Sequence, residues 1–483
     1  MPDRAHALVL AAILALAVLV RVVGVNYESL SMDEITEVRL RAAPVAEIVT
    51  TADGFPPLYQ LLLKAWTAVG DPATSARWLS VILGALAVWA AYRFARETSG
   101  PTAALYAAGM LAISPLQIWF AQEARAYPLA FLFAALAFWR FARALRTNRH
   151  GDWLLYAATA VGGLYTHYYV ALLVGLHALW VGWCVVRRRM PAAPALTAHA
   201  VIALAVLPLF VLLRGDLAFQ SGTELWSFSF ANTPYTLYAF LLGFSTGLSL
   251  RELHGAGLAA ALTGFLPWLI ALATCLVLIA PALVRSIRED PATAAYLALM
   301  TLAPLLLCDA LGLVLHVKYK VQYALWASIP MTVLLARALA TSRFRPAARA
   351  AMVLYVALAG IAIADRHLVD RYRNEDTRAL ASYLADHAQT DDPILVITGY
   401  MADPVRFYLG PGWSIRALPD AVGGGEPTTH ALGGIERPFW LVYTRPFHGD
   451  PDGRLRTWLQ SRRDLHLEAR FAGIELYRSE HAS

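Results

Sequence analysis

The sequence predicts a polytopic α-helical membrane protein of about 11 transmembrane helices, ending in a small α/β domain. Three observations predict it. Apolar runs long enough to cross a bilayer, at roughly 17–25 residues each, recur as far as residue 364, in a chain that is 58% hydrophobic and only 15% charged. One orientation gathers every inter-helix arginine cluster on a single side. From Asp365 onward the pattern becomes that of a soluble domain.

Taken in order, the apolar runs fall near 7–25, 78–95, 102–120, 126–142, 196–213, 256–284, 295–316, 321–340 and 347–364. The first lacks a small-x-small cleavage site after it and reads as an uncleaved span, with Arg21 expected to snorkel from its outer end. The stretch 153–186 is too long for one crossing at about 1.5 Å per residue. Gly162-Gly163 and Thr166-His167-Tyr168-Tyr169 interrupt it, so two short helices are expected to meet there. The apolar piece 235–250 is too short to span and is expected to lie on the surface or re-enter.

With the N-terminus inside, Arg93/Arg96, Arg140/Arg143/Arg146/Arg149, Arg187-Arg188-Arg189, Arg285/Arg288 and Arg343/Arg345/Arg349 are all cytoplasmic. The same assignment sends 26–77, 121–125, 166–169, 214–255, 316–320 and the C-terminal part to the other face. The net charge of +6 resolves into +9 over residues 1–364, with 26 basic and 17 acidic residues, and −3 over 365–483, with 14 and 17. A basic excess in short loops is an orientation signal and gives no case for nucleic acid, which calls for a concentrated basic stripe. Cys184, Cys275 and Cys308 sit singly in apolar stretches, which suits core residues rather than a zinc site or disulfide framework.

Two domains are expected: a membrane domain over 1–364, with a first outer loop at 26–77, and an extracytoplasmic α/β domain over 365–483. In the loop, Pro44 to Thr51 reads as a short helix, and Pro56-Pro57 fixes an extended turn before an interfacial helix from Leu58 to Val69. In the C-terminal domain Asn374-Glu375-Asp376 opens a helix from Thr377 to Gln389. The strand Ile394 to Ile397 follows, with more strands near 438–444 and 467–478. No Walker A loop, G-x-G-x-x-G or G-x-S-x-G occurs, and Gly423-Gly424-Gly425 reads as a loop.

Four polar clusters map to the outer face. Asp33-Glu34 follows the first span, where a carboxylate meets both water and a lipid-borne substrate; a solvated helix start is the plainer reading. Phe55-Pro56-Pro57-Leu58-Tyr59 lies on the rigid loop. Gln122-Glu123-Ala124-Arg125-Ala126-Tyr127 offers a cation beside an acid, suited to a phosphate or to a salt bridge. Lys318-Tyr319-Lys320, with Tyr323, places lysines on the face where the orientation bias disfavours them, and a lipid phosphate gives them a reason, as does snorkelling. His167 sits where two helices break at the surface, as happens where broken helices line a cavity. Asp309, inside the run 295–316, is the best argument for a transporter, although it stands alone, whereas coupled transporters gather several polar groups at the midplane.

The order of these motifs resembles the GT-C membrane glycosyltransferases, particularly the glycosyltransferase family 39-like branch of protein O-mannosyltransferases and aminoarabinose transferases. The resemblance is carried over most of residues 1–400 by Asp33-Glu34, Pro56-Pro57-Leu58-Tyr59, Arg77-Trp78-Leu79-Ser80, Ser114-Pro115 with Gln122 to Tyr127, and Asn374-Glu375-Asp376-Thr377-Arg378. It implies a GT-C-like fold in the cell (inner or plasma) membrane, a polyprenyl-phosphate sugar donor, an extracytoplasmic acceptor glycan, lipid or protein, and Asp33 as catalytic base. Glu34 is its catalytic companion, while Pro57, Tyr59, Glu123, Arg125, Tyr127, His167, Lys318, Tyr319, Lys320 and Tyr323 shape the substrate site. At Val317 to Tyr323 the chain departs from relatives, which more often show an Arg-Tyr pair before an apolar span. The chemistry agrees: a sugar on phosphate already has a good leaving group, so a base for the acceptor and cations for the phosphate suffice for an inverting displacement. A divalent cation stays open as a cofactor: Asp33, Glu34 and Glu123 are the carboxylates that would bind one, though no ligand spacing demands it.

Overall fold

The computed structural model describes residues 2–50, 55–212, 229, 231–255, 257–315, 320–418, 438–461 and 465–479. The expected Gly423-Gly424-Gly425 loop, Lys318 and Tyr319 lie outside these. The chain divides into two compact units. One comprises Met1–Val25, Glu37–Gly243 and Trp268–Ala362; the other comprises Asn26–Thr36, Phe244–Pro267 and Ile363–Ser483.

The first unit is built from helices that follow the apolar runs. They are α1 (Pro2–Val22), α2 (Met32–Leu40, which begins in the second unit), α3 (Val45–Thr50), α4 (Leu58–Trp66), α5 (Pro72–Ala112), α6 (Pro115–Ala121), α7 (Tyr127–Thr147), α8 (His150–Leu164), α9 (Val170–Val186), α10 (Ala193–Ala205) and α11 (Asn232–Leu242). α12 (Leu250–Gly255) belongs to the second unit; after it come α13 (Leu258–Glu289, which begins there), α14 (Pro291–Leu315), a 3₁₀ turn at Val321–Ala327, α15 (Ser328–Thr341) and α16 (Arg345–Leu368, which ends in the second unit). Among the described residues seven helical stretches are long and apolar enough to cross a membrane, and α9 and α10 are shorter apolar helices. The protein is a multi-span membrane protein.

Local chemistry sets the helix ends. Asp71 caps α5 by accepting from the Ala73 and Thr74 amides, with Pro72 at the first helical position. At 41 residues α5 is about twice the length of one crossing, and it breaks at Gly100 (φ 82°, ψ 172°) just before Pro101. The two runs expected at 78–95 and 102–120 lie on either side of that break. Likewise α8 and α9 separate at 165–169, as the polar Thr166-His167-Tyr168-Tyr169 interruption predicts. Of the 235–250 piece, residues as far as Leu242 lie in α11, which ends at Gly243 with φ 70°, where a Cβ would lie 3.0 Å from the Pro115 Cβ.

Arg21 corrects an expectation. It does not snorkel: only 1% of it is exposed, and its guanidinium donates to the carbonyls of Ala17, Leu111 and Ala112 at 2.9, 3.1 and 2.9 Å. Leu111 and Ala112 end α5, where the last turn leaves carbonyls without helical partners, and a buried cation satisfies them. Gly84 admits it, since a Cβ there would meet the Ala121 Cβ at 2.8 Å and Arg21 Nε at 3.2 Å.

The second unit contains a five-stranded sheet of β1 (Ile394–Ile397), β2 (Ile415–Ala417), β3 (Trp440–Thr444), β4 (Leu465–Phe471) and β5 (Ile474–Ser479), in the order β2-β1-β3-β5-β4. β1 is parallel to β2 and β3, while β5 is antiparallel to β3 and β4. Every residue of β1 is buried because both faces of the sheet are covered. Ile394 and Val396 pack with Leu380, Leu384, Val405 and Trp440 on one side; Leu395 and Ile397 pack with Leu441, Tyr443, Leu455 and Leu459 on the other. The helix expected from Thr377 runs as α17 (Thr377–His387), capped by Asp376 accepting from the Ala379 amide. α18 (Ala402–Leu409), α19 (Pro446–Gly449) and α20 (Arg454–Ser461) complete the unit.

Candidate functional site

In the first unit the Pro56-Pro57 turn leads into α4, and the Leu58 amide donates to the Tyr165 carbonyl at 3.0 Å, stitching this loop to the break between α8 and α9. Pro57 holds the N-cap position of α4 and removes an amide that would have lacked a helical partner. Tyr59 and Gln60 are buried within the first turn. Lys64 at the helix's far end donates to the carbonyls of Arg41 and Ala43, both at 2.9 Å, so the segment after α2 is tied to α4.

Gln122 to Tyr127 follows α6 on the same body. Gln122 donates to the carbonyls of Arg21 and Val23 at 3.1 and 2.7 Å, fixing this turn against the end of α1. Glu123 accepts from Trp119 Nε1 at 2.7 Å. The Arg125 guanidinium lies 3.4 Å from Glu37 Oε1, and its Cζ stands 4.8 Å from the Phe55 ring centroid and 5.7 Å from that of Tyr127. Arg125 is therefore paired with an acid that sequence reading passed over. The signal was present: Glu37 follows Glu34 by three residues and Asp33 by four, a helical spacing, and lies between the apolar Ile35 and Val38.

His167 occupies the centre of an aromatic group. Its ring centroid is 5.2 Å from Phe55, 5.8 Å from Tyr127 and Tyr169, and 5.6 Å from Tyr323; Tyr169 and Tyr323 stack at 4.7 Å. Burial, with Arg125 adding to it, pushes the imidazole down to about 3, so it is neutral near pH 7. Its Nδ1 accepts the Tyr169 amide at 3.3 Å, which puts the proton of the neutral ring on Nε2. That buried Nε2 has no hydrogen-bond partner among the described residues. Lys320 Nζ stands 6.0 Å from the Tyr323 ring centroid. A continuous series thus runs from Glu37 through Arg125, Phe55 and Tyr127, His167 and Tyr323 to Lys320.

The structure brings Arg125, Tyr127, His167, Tyr323 and Lys320 together with Phe55 and Glu37. Its two cations flank the aromatic group, Arg125 paired with Glu37 on one side and Lys320 on the other, and a buried N–H donor lies between them. Such an arrangement suits an anionic headgroup carrying hydroxyls: guanidinium and ammonium attract oxyanions, and a desolvated neutral imidazole offers a directional hydrogen bond.

Asp33 and Glu34 belong to the second unit. Glu34 is fully buried; its Oε2 accepts from the Ser31 amide at 2.9 Å, and Ser31 Oγ accepts from the Glu34 amide at 3.3 Å. Ser31-x-x-Glu34 is a capping box that starts α2, and Asp33 stands exposed beside it. Asp309 has partners that the sequence did not suggest: Asn232 Nδ2 and Thr233 Oγ1 donate to its carboxylate at 3.2 and 2.7 Å. Among the described residues no three His, Cys, Asp or Glu side chains gather where they could hold a metal ion.

Residues 55–212 match the sequence model of the family described as dolichyl-phosphate-mannose-protein mannosyltransferase. The fold is similar to that of ArnT from Cupriavidus metallidurans in the apo state, with a TM-score of 0.57 at 14% identity over 97% of each chain. The same protein bound to undecaprenyl phosphate gives a TM-score of 0.52 at 14% identity over 98% of each chain. The Archaeoglobus fulgidus oligosaccharyltransferase in the apo form gives 0.54 at 12% identity, covering 91% of this chain and 69% of that one. No curated protein sequence matches significantly.

Proposed function

We propose that this chain, a membrane glycosyltransferase with the GT-C fold, moves a sugar from a polyprenyl-phosphate donor to an acceptor on the extracytoplasmic face of the cell membrane, with Asp33 as general base. The series from Arg125 through His167 to Lys320 is the observation that carries this reading. It supplies what a lipid-linked sugar phosphate needs: cations for the phosphate and a neutral donor within aromatic walls. The similarity to a fold whose structure was solved with undecaprenyl phosphate supports a polyprenyl phosphate as the carrier.

In the proposed reaction an acceptor hydroxyl or amine attacks the anomeric carbon, the bond from that carbon to the phosphate oxygen breaks, and the anomeric centre inverts. The acceptor's proton passes to the Asp33 carboxylate. The released phosphate keeps its electron pair and is held by Arg125 and Lys320, with Lys318 two residues before Lys320 in the sequence. A phosphate is a good leaving group, so no strong general acid is required. Substrate-site roles for Pro57, Tyr59, Glu123 and Tyr319, and a catalytic role for Glu34, belong to the same proposal.

The test is direct. Purified protein is mixed in detergent with radiolabelled polyprenyl-phosphate mannose, glucose, arabinose and aminoarabinose and with membrane extract as acceptor source. Transfer of one label, cut by about a hundredfold or more in Asp33→Asn and weakened by Arg125→Ala, is expected. Transfer that stays near the wild-type rate in Asp33→Asn overturns the base assignment, and transfer of no label overturns the donor class.

A further inference from the structure

We propose that the C-terminal α/β module is a positioning device for the acid-bearing segment, acting through three consecutive residues, Glu28, Ser29 and Leu30. This rests on the reading of Asp33 as base. All the residues involved lie in the second unit.

Each of the three is held by a different part of the module. Glu28 Oε2 accepts from Asn374 Nδ2 at 3.1 Å and stands 3.8 Å from the Arg366 guanidinium. Ser29 Oγ donates to Asp376 Oδ1 at 2.8 Å and accepts from the Arg378 amide at 3.1 Å. The Leu30 amide donates to the Tyr408 hydroxyl at 2.6 Å. Arg378 then reaches back to the carbonyls of Tyr27 and Asn26 at 2.6 and 3.2 Å. Glu28, Ser29 and Leu30 are all buried.

The position of this clamp in the chain gives it its consequence. Ser31 comes next and is the cap residue of α2; Asp33 sits in the first turn that this cap orders. Asp376 serves twice, capping α17 through the Ala379 amide at 3.2 Å while receiving the Ser29 hydroxyl. The start of α17 and the start of α2 are thereby fixed by one hydrogen-bond network. A general base works only within hydrogen-bond reach of the proton it removes, so a small displacement lowers turnover steeply. Ser29 and Tyr408 are therefore positioning residues, acting through the backbone before Asp33.

Ser29→Ala and Tyr408→Phe in the full-length protein in lipid nanodiscs test this, because each removes one hydroxyl and leaves the Asp376 cap intact. With the donor that transfers in the panel above, kcat is expected to fall by about tenfold to a hundredfold, while KM for the donor stays within about twofold. Hydrogen–deuterium exchange over residues 31–36 is expected to speed up, the melting temperature to hold, and Ser29→Thr, which keeps a hydroxyl, to restore turnover. Unchanged exchange over 31–36, or a loss confined to KM, overturns the clamp. Full activity in Asp33→Asn defeats the base assignment instead, and exchange over 31–36 then still decides whether the clamp orders α2.

Discussion

Glu37 and Arg125 form an ion pair at 3.4 Å in which the carboxylate side chain is wholly shielded and the guanidinium is 10% exposed. Removing one partner of such a pair leaves a desolvated charge, at about 3–5 kcal/mol. Arg125→Met should therefore lower thermal stability in detergent sharply, and adding Glu37→Gln should restore much of it. Transfer should not return with stability if Arg125 holds the donor phosphate as proposed. Unfolding scans of the single and double variants, read beside activity, check both halves.

Asp33→Asn should cut transfer by roughly a hundredfold to ten-thousandfold, the range of a lost general base. The substitution removes basicity and keeps shape, and the Ser31–Glu34 capping box does not involve the Asp33 side chain. Binding of a polyprenyl phosphate should survive it. Single-turnover kinetics with a separate equilibrium binding measurement distinguish the two.

Burial of His167, with Arg125 adding to it, holds its imidazole near 3 against an ordinary 6.5. Between those values the unfolded chain takes up a proton that the folded protein refuses, so stability should decline as pH falls from about 6.5 towards 3. His167→Gln should flatten that decline. Melting temperatures of both proteins across this window measure it.

The Glu375–Arg445 pair makes a second pH test, of the same sign, in the second unit. Arg445 donates to both carboxylate oxygens, at 3.0 and 2.9 Å. Burial alone would raise the Glu375 carboxyl; Arg445 overrides it and, with Arg251, leaves it below its ordinary 4.5. The stabilisation is fully present above about 4.5 and is lost as pH falls through the lower folded value. Arg445→Met should destabilise the module by about 3–5 kcal/mol at neutral pH, and proteolysis of residues 363–483 reports it.

Asp309→Asn should leave transfer within about threefold of the wild type, since an amide oxygen still accepts from Thr233 and the change preserves volume. A transporter would lose its function there. Comparing glycosyl transfer with solute flux in proteoliposomes separates the two.

Much of this protein is legible in its residues. The break at 165–169 follows from Gly162-Gly163 and a polar tetrad, and the helix from Thr377 follows from the cap at Asp376. Arg125, Tyr127, His167, Tyr323 and Lys320 stand out as polar or amphipathic groups in otherwise apolar surroundings, and the structure gathers them. Arg21 and Asp309 read differently in sequence because their partners, the α5 carbonyls and Asn232 with Thr233, belong to remote segments.

The sequence by itself determined the membrane class, the run of helices and the α/β module, because hydropathy, periodicity and capping are local and every residue declares them alone. Only the tertiary structure decided that Glu37 pairs with Arg125, that the imidazole of His167 is desolvated among four rings, and that Glu28, Ser29 and Leu30 are held by Asn374, Asp376 and Tyr408. Those relationships depend on which distant segments exclude water together. That exclusion is a property of packing, and no single stretch of chain contains it.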